Sequence, residues 1–263
     1  MRVMYSADNY ARLGAGPRQS AEQIVPLIMD LFRPTSVVDL GCGQGSWLAE
    51  FSELGVKRIT GVDGDWAIPS LQIPAEHFVA ADVSQPVNLP EKYDMALCLE
   101  CAHYLPNGAG EILVNSLVNL APVVLLSAGV PFQSGTTGTN DQWPEYWKDL
   151  FERKGYVLID CIRQTFWENE QVTYYYRQNC FIFAQRDYVD LRPRLLEFLN
   201  APQMSLRVIH PLHYMQMIEY LQNPEQMATP RLHVSFTGFP DVDPVRHPKE
   251  NLEATISRPR KSF

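Results

Sequence analysis

The stretch Asp39-Leu40-Gly41-Cys42-Gly43-Gln44-Gly45 sets three glycines at alternate positions, directly after the apolar run Ser36-Val37-Val38. Glycines so placed permit a tight turn and let backbone N–H groups approach a ligand where side chains would collide. The helical stretch Ser46 to Leu54 follows, with Gly55 after its end. Strand, glycine turn and helix together open a βαβ unit, whose ligands sit beyond the carboxyl ends of the strands.

A nicotinamide fingerprint would read G-x-G-x-x-G. Here the third glycine comes one residue early, Ser46 stands where it belongs, and Asp39 precedes the glycines. Asp63 ends the next apolar run, Arg58 to Asp63, eighteen residues after Gly45. That is close to the roughly twenty expected for a carboxylate receiving ribose hydroxyls. After a third run, His77 to Ala80, Asp82 and Val83 supply a carboxylate and a backbone N–H suited to an adenine edge. Three signals in this order are far more specific than one glycine turn.

The rest of the first half keeps the alternation. Ala21 to Phe32 has apolar residues at helical spacing and ends before Pro34. Tyr93 to Leu99 and Val123 to Ala128 read as strands four and five, joined by a crossover helix over Gly110 to Leu120. A mostly parallel sheet of right-handed βαβ units follows. A Gly- and Thr-rich loop, Phe132 to Asn140, then leads into a helix begun by Pro144 and ended by Gly155. The β-type runs Tyr156 to Arg163 and Val172 to Gln185 are expected to pair as an antiparallel hairpin. The fold class expected is α/β, a Rossmann-like doubly wound sheet, mostly parallel with an antiparallel last strand. Residues 1–190 form this domain and 191–263 a C-terminal extension. In the extension Leu195 to Leu199 and Tyr214 to Leu221 read as helices, and the Pro-rich end as partly disordered or draped on the surface.

A chain of 263 residues, 46% apolar, buries a full core. No apolar run approaches the ~20 residues of a membrane span, and the first ten residues lack a signal-peptide stretch, so a cytoplasmic location is expected. A net charge of −8 argues against a nucleic-acid backbone as main partner. The five cysteines read as buried free thiols, and Cys98-x-x-Cys101 lacks the second pair of a zinc ribbon. His210-Pro211-Leu212-His213 reads as a loop packed on the domain. No metal site is assigned, and a homo-oligomer is compatible with the sequence.

From Val37 to Ala128 the chain resembles the class I S-adenosylmethionine-dependent methyltransferases, on Val38 to Gly45, Gly61-Val62-Asp63, Ala81-Asp82-Val83 and Tyr93 to Cys98. The resemblance implies a seven-stranded sheet with an antiparallel last strand. It also implies that Asp39, Gly41, Cys42, Gly43, Gly45, Asp63, Gly64, Asp82, Val83 and Leu99 hold S-adenosylmethionine and its product S-adenosylhomocysteine. Gln142 to Trp147 together with Tyr176-Arg177-Gln178-Asn179 resemble bacterial methyltransferases of polysaccharide and natural-product pathways. Those relatives often carry a Glu-His pair after the fourth strand, where this chain has His103-Tyr104.

Methyl transfer to a hydroxyl needs alignment, a dry mouth and a general base. By position His103 is the expected base, and Glu100 orients the cofactor or a partner side chain. Gln133, Asn140, Trp143, Trp147 and Trp167 are the expected substrate residues, and Tyr5 and Tyr10 the expected cover of the cofactor. The reading favours methyl transfer to a hydroxyl oxygen of a small molecule or glycan. The alternatives are N-methylation of a small amine, nucleic-acid or protein methylation, and a cofactor-binding subunit without catalysis. Leu99-Glu100-Cys101-Ala102 stands where amino-methylating DNA enzymes carry their Asn/Asp-Pro-Pro-aromatic tetrapeptide, and no Pro-Cys occurs.

Overall fold

The computed structural model describes residues 15–133 and 139–222. The expectations for Tyr5, Tyr10 and the Pro-rich end lie outside them. Seven strands form one sheet in the order β3-β2-β1-β4-β5-β7-β6. Strands β1 (Ser36–Leu40), β2 (Arg58–Asp63), β3 (Phe78–Ala80), β4 (Met95–Leu99) and β5 (Val123–Ser127) run parallel. Strand β7 (Cys180–Gln185) enters between β5 and β6 (Tyr156–Ile159), antiparallel to both. The expected Rossmann-like sheet with its antiparallel last strand is what the chain forms.

Every residue of β1, β4 and β5 is buried, as expected of parallel strands covered on both faces. Neighbouring side chains feed different cores. Val37 and Leu97 pack with Ile24 and Ile28 of α1 (Gly16–Phe32) and with Leu48 and Phe51 of α2 (Ser46–Glu53). Val38 and Ala96 pack with Leu113 and Leu117 of α3 (Ala109–Leu120) and with Phe151 of α4 (Pro144–Glu152). Helix α1 starts five residues earlier than the apolar spacing predicts, with a proline in its first turn, where the missing N–H costs nothing.

The connection from β6 to β7 departs from the expected tight hairpin. It contains two short helices, α5 (Cys161–Phe166) and α6 (Tyr174–Asn179). The cause of the first is local. Arg163 is fully buried and donates from Nε and Nη2 to the Asp160 carboxylate, at 3.0 and 2.7 Å, with its guanidinium 4.7 Å from the Phe181 ring. A buried pair three residues apart closes a helical turn, whereas a strand would send the two side chains to opposite faces. Three further helices follow, α7 (Arg186–Asp190), α8 (Pro193–Asn200) and α9 (Pro211–Gln222). Leu195 of α8 is buried in the same core as Ile159 and Val189.

Trp147, expected at a substrate wall, is a core residue. It is 3% exposed and packs with Leu150 and Phe151 on the buried stripe of α4. Spacing of three and four residues along one helix puts all three on the same face. Among the described residues no helix is long and apolar enough to cross a membrane.

Candidate functional site

Strand β1 delivers Asp39 to the carboxyl edge of the sheet, and the chain then turns through Gly41, Gly43 and Gly45, all at positive φ. The Gly41 and Cys42 N–H groups donate to the Val62 carbonyl at 2.7 and 3.2 Å, tying the loop to β2. A side chain at Gly41 would overlap the Cys101 sulfur, on the loop after β4. Gly61 leaves room for Cys42 in the same way, since a Cβ there would lie 2.7 Å from its sulfur. The Cys42 thiol is pushed up by burial and by the nearby carboxylates of Asp39 and Asp63, so it stays neutral.

Asp63 clamps two turns with one carboxylate. Its Oδ2 accepts the Gly43 N–H and its Oδ1 the Gly64 N–H, each at 2.7 Å. Trp66 lies across Gly64, where any side chain would strike its ring. Sequence reasoning passed over this aromatic; a tryptophan three residues after the strand-end aspartate was the available signal. Asp39 is 2% exposed, and its Oδ1 is buried with no hydrogen-bond partner among the described residues. Burial and the neighbouring Asp63 push its pKa up to about 7. A buried acceptor left open at the base of a glycine cradle fits a ligand that brings donors or positive charge.

Asp82 is exposed, and its Oδ1 accepts the N–H (2.9 Å) and hydroxyl (2.7 Å) of Ser84, an aspartate turn that shapes the loop after β3. Val83 beside it and Leu99 at the end of β4 are both buried. The cofactor set read from the sequence thus converges on the carboxyl ends of β1 to β4.

Beyond β4 and β5 lies a polar cluster around Glu100, a half-buried residue at φ 52. Its Oε1 accepts from the Ser127 hydroxyl and, at 3.3 Å, from Asn179 Nδ2, while Oε2 accepts from Gln133 Nε2 at 3.1 Å. Gln133 Oε1 in turn accepts from Asn179 at 2.9 Å and Gln178 at 3.3 Å. Burial pushes the Glu100 carboxyl up to about 7, in spite of these donors. A non-glycine residue at positive φ is strained and marks sites where the surroundings enforce a geometry.

His103, expected as the base, is built differently. It is 2% exposed, its Nδ1 accepts the Gly129 N–H at 2.9 Å, and burial lowers its pKa to about 3. Its carbonyl accepts the N–H groups of Thr139 and Asn140 at 3.1 and 3.0 Å. His103 therefore ties the loop after β5 to the loop after β4. Asn140 is a tie of the same kind, buried and donating to the Ala102 carbonyl at 3.2 Å. His103→Ala is expected to lower thermal stability by about 1–3 kcal/mol, because a buried N–H loses its acceptor; a histidine titration near pH 6.5 in the NMR spectrum would contradict this role. Trp143 and Trp167 are half-buried, unlike Trp147.

A methyltransferase-domain family model matches residues 8–169. The malonyl-[acyl-carrier protein] O-methyltransferase of Pseudescherichia vulneris is 28% identical over 157 residues, 58% of this chain and 58% of that protein. The chain thus spans little more than half the length of that curated relative. The solved structure of Streptomyces venezuelae DesVI is similar with a TM-score of 0.53 at 12% identity, covering 68% of this chain and 98% of that one. The sugar N-methyltransferase KedS8 of Streptoalloteichus sp. gives 0.54 at 14% identity, covering 70% and 94%. Both likenesses concern the fold. The family match takes in the glycine loop, strands β1 to β6 and the start of the β6–β7 connection, more than half of the chain, which belongs to the class I S-adenosylmethionine-dependent methyltransferases.

Proposed function

We propose that this chain transfers a methyl group from S-adenosylmethionine to a hydroxyl oxygen of a small molecule or glycan. The observation that carries the reading is the preformed glycine cradle, clamped by Asp63 and floored by the open carboxylate oxygen of Asp39. When bound, the cofactor supplies a sulfonium methyl group open to in-line attack. The residues of the chain do the rest. Asp39 and the loop amides orient the donor, Asp63 and Gly64 take the ribose, and Asp82 and Val83 border the adenine. Glu100 replaces His103 as the proposed base. Its carboxylate would take the proton of the acceptor hydroxyl as that oxygen accepts the methyl group from the sulfonium. Gln133 and Trp143 sit on the loop that faces the acceptor.

The test is release of S-adenosylhomocysteine over a panel of sugars, phenols, carboxylic acids and amines. Turnover confined to amines would overturn the hydroxyl assignment. Calorimetry with S-adenosylhomocysteine tests the cradle itself. Gly41→Ala is expected to weaken that binding about tenfold, since a left-handed non-glycine residue costs roughly 1–2 kcal/mol before any overlap with Cys101. Unchanged affinity in that variant would remove the cradle from the argument.

A further inference from the structure

A cavity lies between the β6–β7 connection and the start of α9, with a volume of about 340 Å³. Trp167, Arg177 and His210 line it together with Glu168 and Glu170, which are both exposed. Arg177 is 4% exposed; its Nη1 donates to the Trp167 carbonyl at 3.3 Å, and its Nε is buried with no hydrogen-bond partner among the described residues. Among the described residues the other deeply buried arginine, Arg163, is matched by the buried carboxylate of Asp160. Arg177 has no carboxylate in ion-pair contact among the described residues. Burying a guanidinium without a counter-charge is expensive, and the cost is recovered when a ligand brings one.

His210 does not share that charge. Its Nε2 lies 3.2 Å from the Trp167 carbonyl, its Nδ1 accepts the Leu212 N–H at 3.2 Å, and burial with Arg177 nearby lowers its pKa. The cavity thus holds one fixed cation beside the flat ring of Trp167. It is also linked to the reacting edge. The His210 backbone N–H donates to Gln178 Oε1 at 2.7 Å, Gln178 Nε2 donates to Gln133 Oε1, and Gln133 Nε2 to Glu100.

We infer that this cavity is a subsite for a carboxylate group of the methyl acceptor, with Arg177 as its counter-charge. The planar guanidinium fork matches a carboxylate, and the two exposed glutamates of the lining disfavour a phosphate dianion more than a singly charged carboxylate. Assignment of the carboxylate to the acceptor rests on the methyl-transfer reading above.

The test reads the Arg177 Nε–H resonance of the ¹⁵N-labelled full chain, assigned by its loss in Arg177→Lys. Glucuronate and benzoate are the carboxylate probes, glucose and benzyl alcohol their neutral counterparts, and glucose 6-phosphate the phosphate probe. Carboxylates should shift the resonance saturably and bind about tenfold more tightly than the neutral probes, as a charge-assisted hydrogen bond implies. Glu168→Gln and Glu170→Gln, both at exposed positions, should each tighten carboxylate binding by about twofold. A resonance unmoved by carboxylates, an equal response to neutral probes, or preference for the phosphate overturns the subsite. The amides of Gly41 to Gly45 report S-adenosylhomocysteine binding in the same spectra. If they stay silent while Arg177 responds, the methyl-transfer reading falls and the carboxylate site stands without its acceptor.

Discussion

Asp63→Ala is expected to weaken S-adenosylmethionine and S-adenosylhomocysteine binding by about 100-fold, or about 2.7 kcal/mol. One carboxylate closes both the glycine loop and the turn at Gly64, so its removal leaves two N–H donors without their acceptor. Hydrogen bonds to a charged group are worth roughly 1.5–3 kcal/mol each, and part of that loss is recovered by water. The ribose contact proposed for the same side chain disappears as well. Asp63→Asn keeps one carbonyl acceptor and should fall between the two. A second readout separates loop collapse from simple loss of a contact. Burial and Asp63 together hold the Asp39 carboxyl up near 7, so wild-type affinity for the cationic cofactor should rise with pH as Asp39 ionises. Without Asp63 that inflection should move to lower pH. Affinity within threefold of wild type by calorimetry, with the inflection in place, would sink the assignment.

The parts of this fold that the sequence exposes are those where one physical demand acts on consecutive residues. Val37-Val38, Met95 to Leu99 and Val123 to Leu126 are continuous apolar runs because both faces of a parallel strand are covered, and their bounds agree with the structure within two or three residues. The glycine loop is legible for the same reason. Gly41, Gly43 and Gly45 each need positive φ, and no other residue takes that conformation as cheaply.

What the sequence hid depends on partners distant along the chain. Tyr174-Tyr175-Tyr176 has the composition of a strand, yet it begins a helix that lets Trp47 reach Tyr176 and brings Gln178 and Asn179 toward Glu100 and Gln133. Tertiary contacts there override β propensity. In the sequence, His103 and Glu100 are told apart only by their distance from the end of β4. Their roles diverge because Gly129 approaches one, while Ser127, Gln133 and Asn179 surround the other, on three separate elements. Arg177 was visible only as one member of a short motif; its missing counter-charge is a property of the packed chain.

Glu100→Gln is the sharper test of the chemistry. The change keeps the shape of the side chain and removes its capacity to take a proton, while one of its two acceptor oxygens becomes an amide donor and loses the hydrogen bond it accepted. Turnover on a hydroxyl acceptor should therefore drop by about 10²–10⁴-fold. Cofactor affinity should stay within about twofold, because among the described residues the hydrogen bonds of the Glu100 side chain go to Ser127, Gln133 and Asn179 and not to the glycine loop. The sign of the pH dependence follows from burial. The carboxyl is held up at about 7 and is a base only when ionised, so the wild-type rate should rise with pH below that value and level off above it. The hydrogen bonds from Ser127, Asn179 and Gln133 favour the ionised form and pull against burial. Asn179→Ala removes one of them and should push the inflection upward, a shift that a purely structural Glu100 has no reason to produce. His103→Ala should leave the inflection in place, since that ring is already neutral above about 3. If instead the inflection vanishes with His103 and survives Glu100→Gln, the base belongs to the histidine, and the strained backbone at Glu100 serves only to turn the chain.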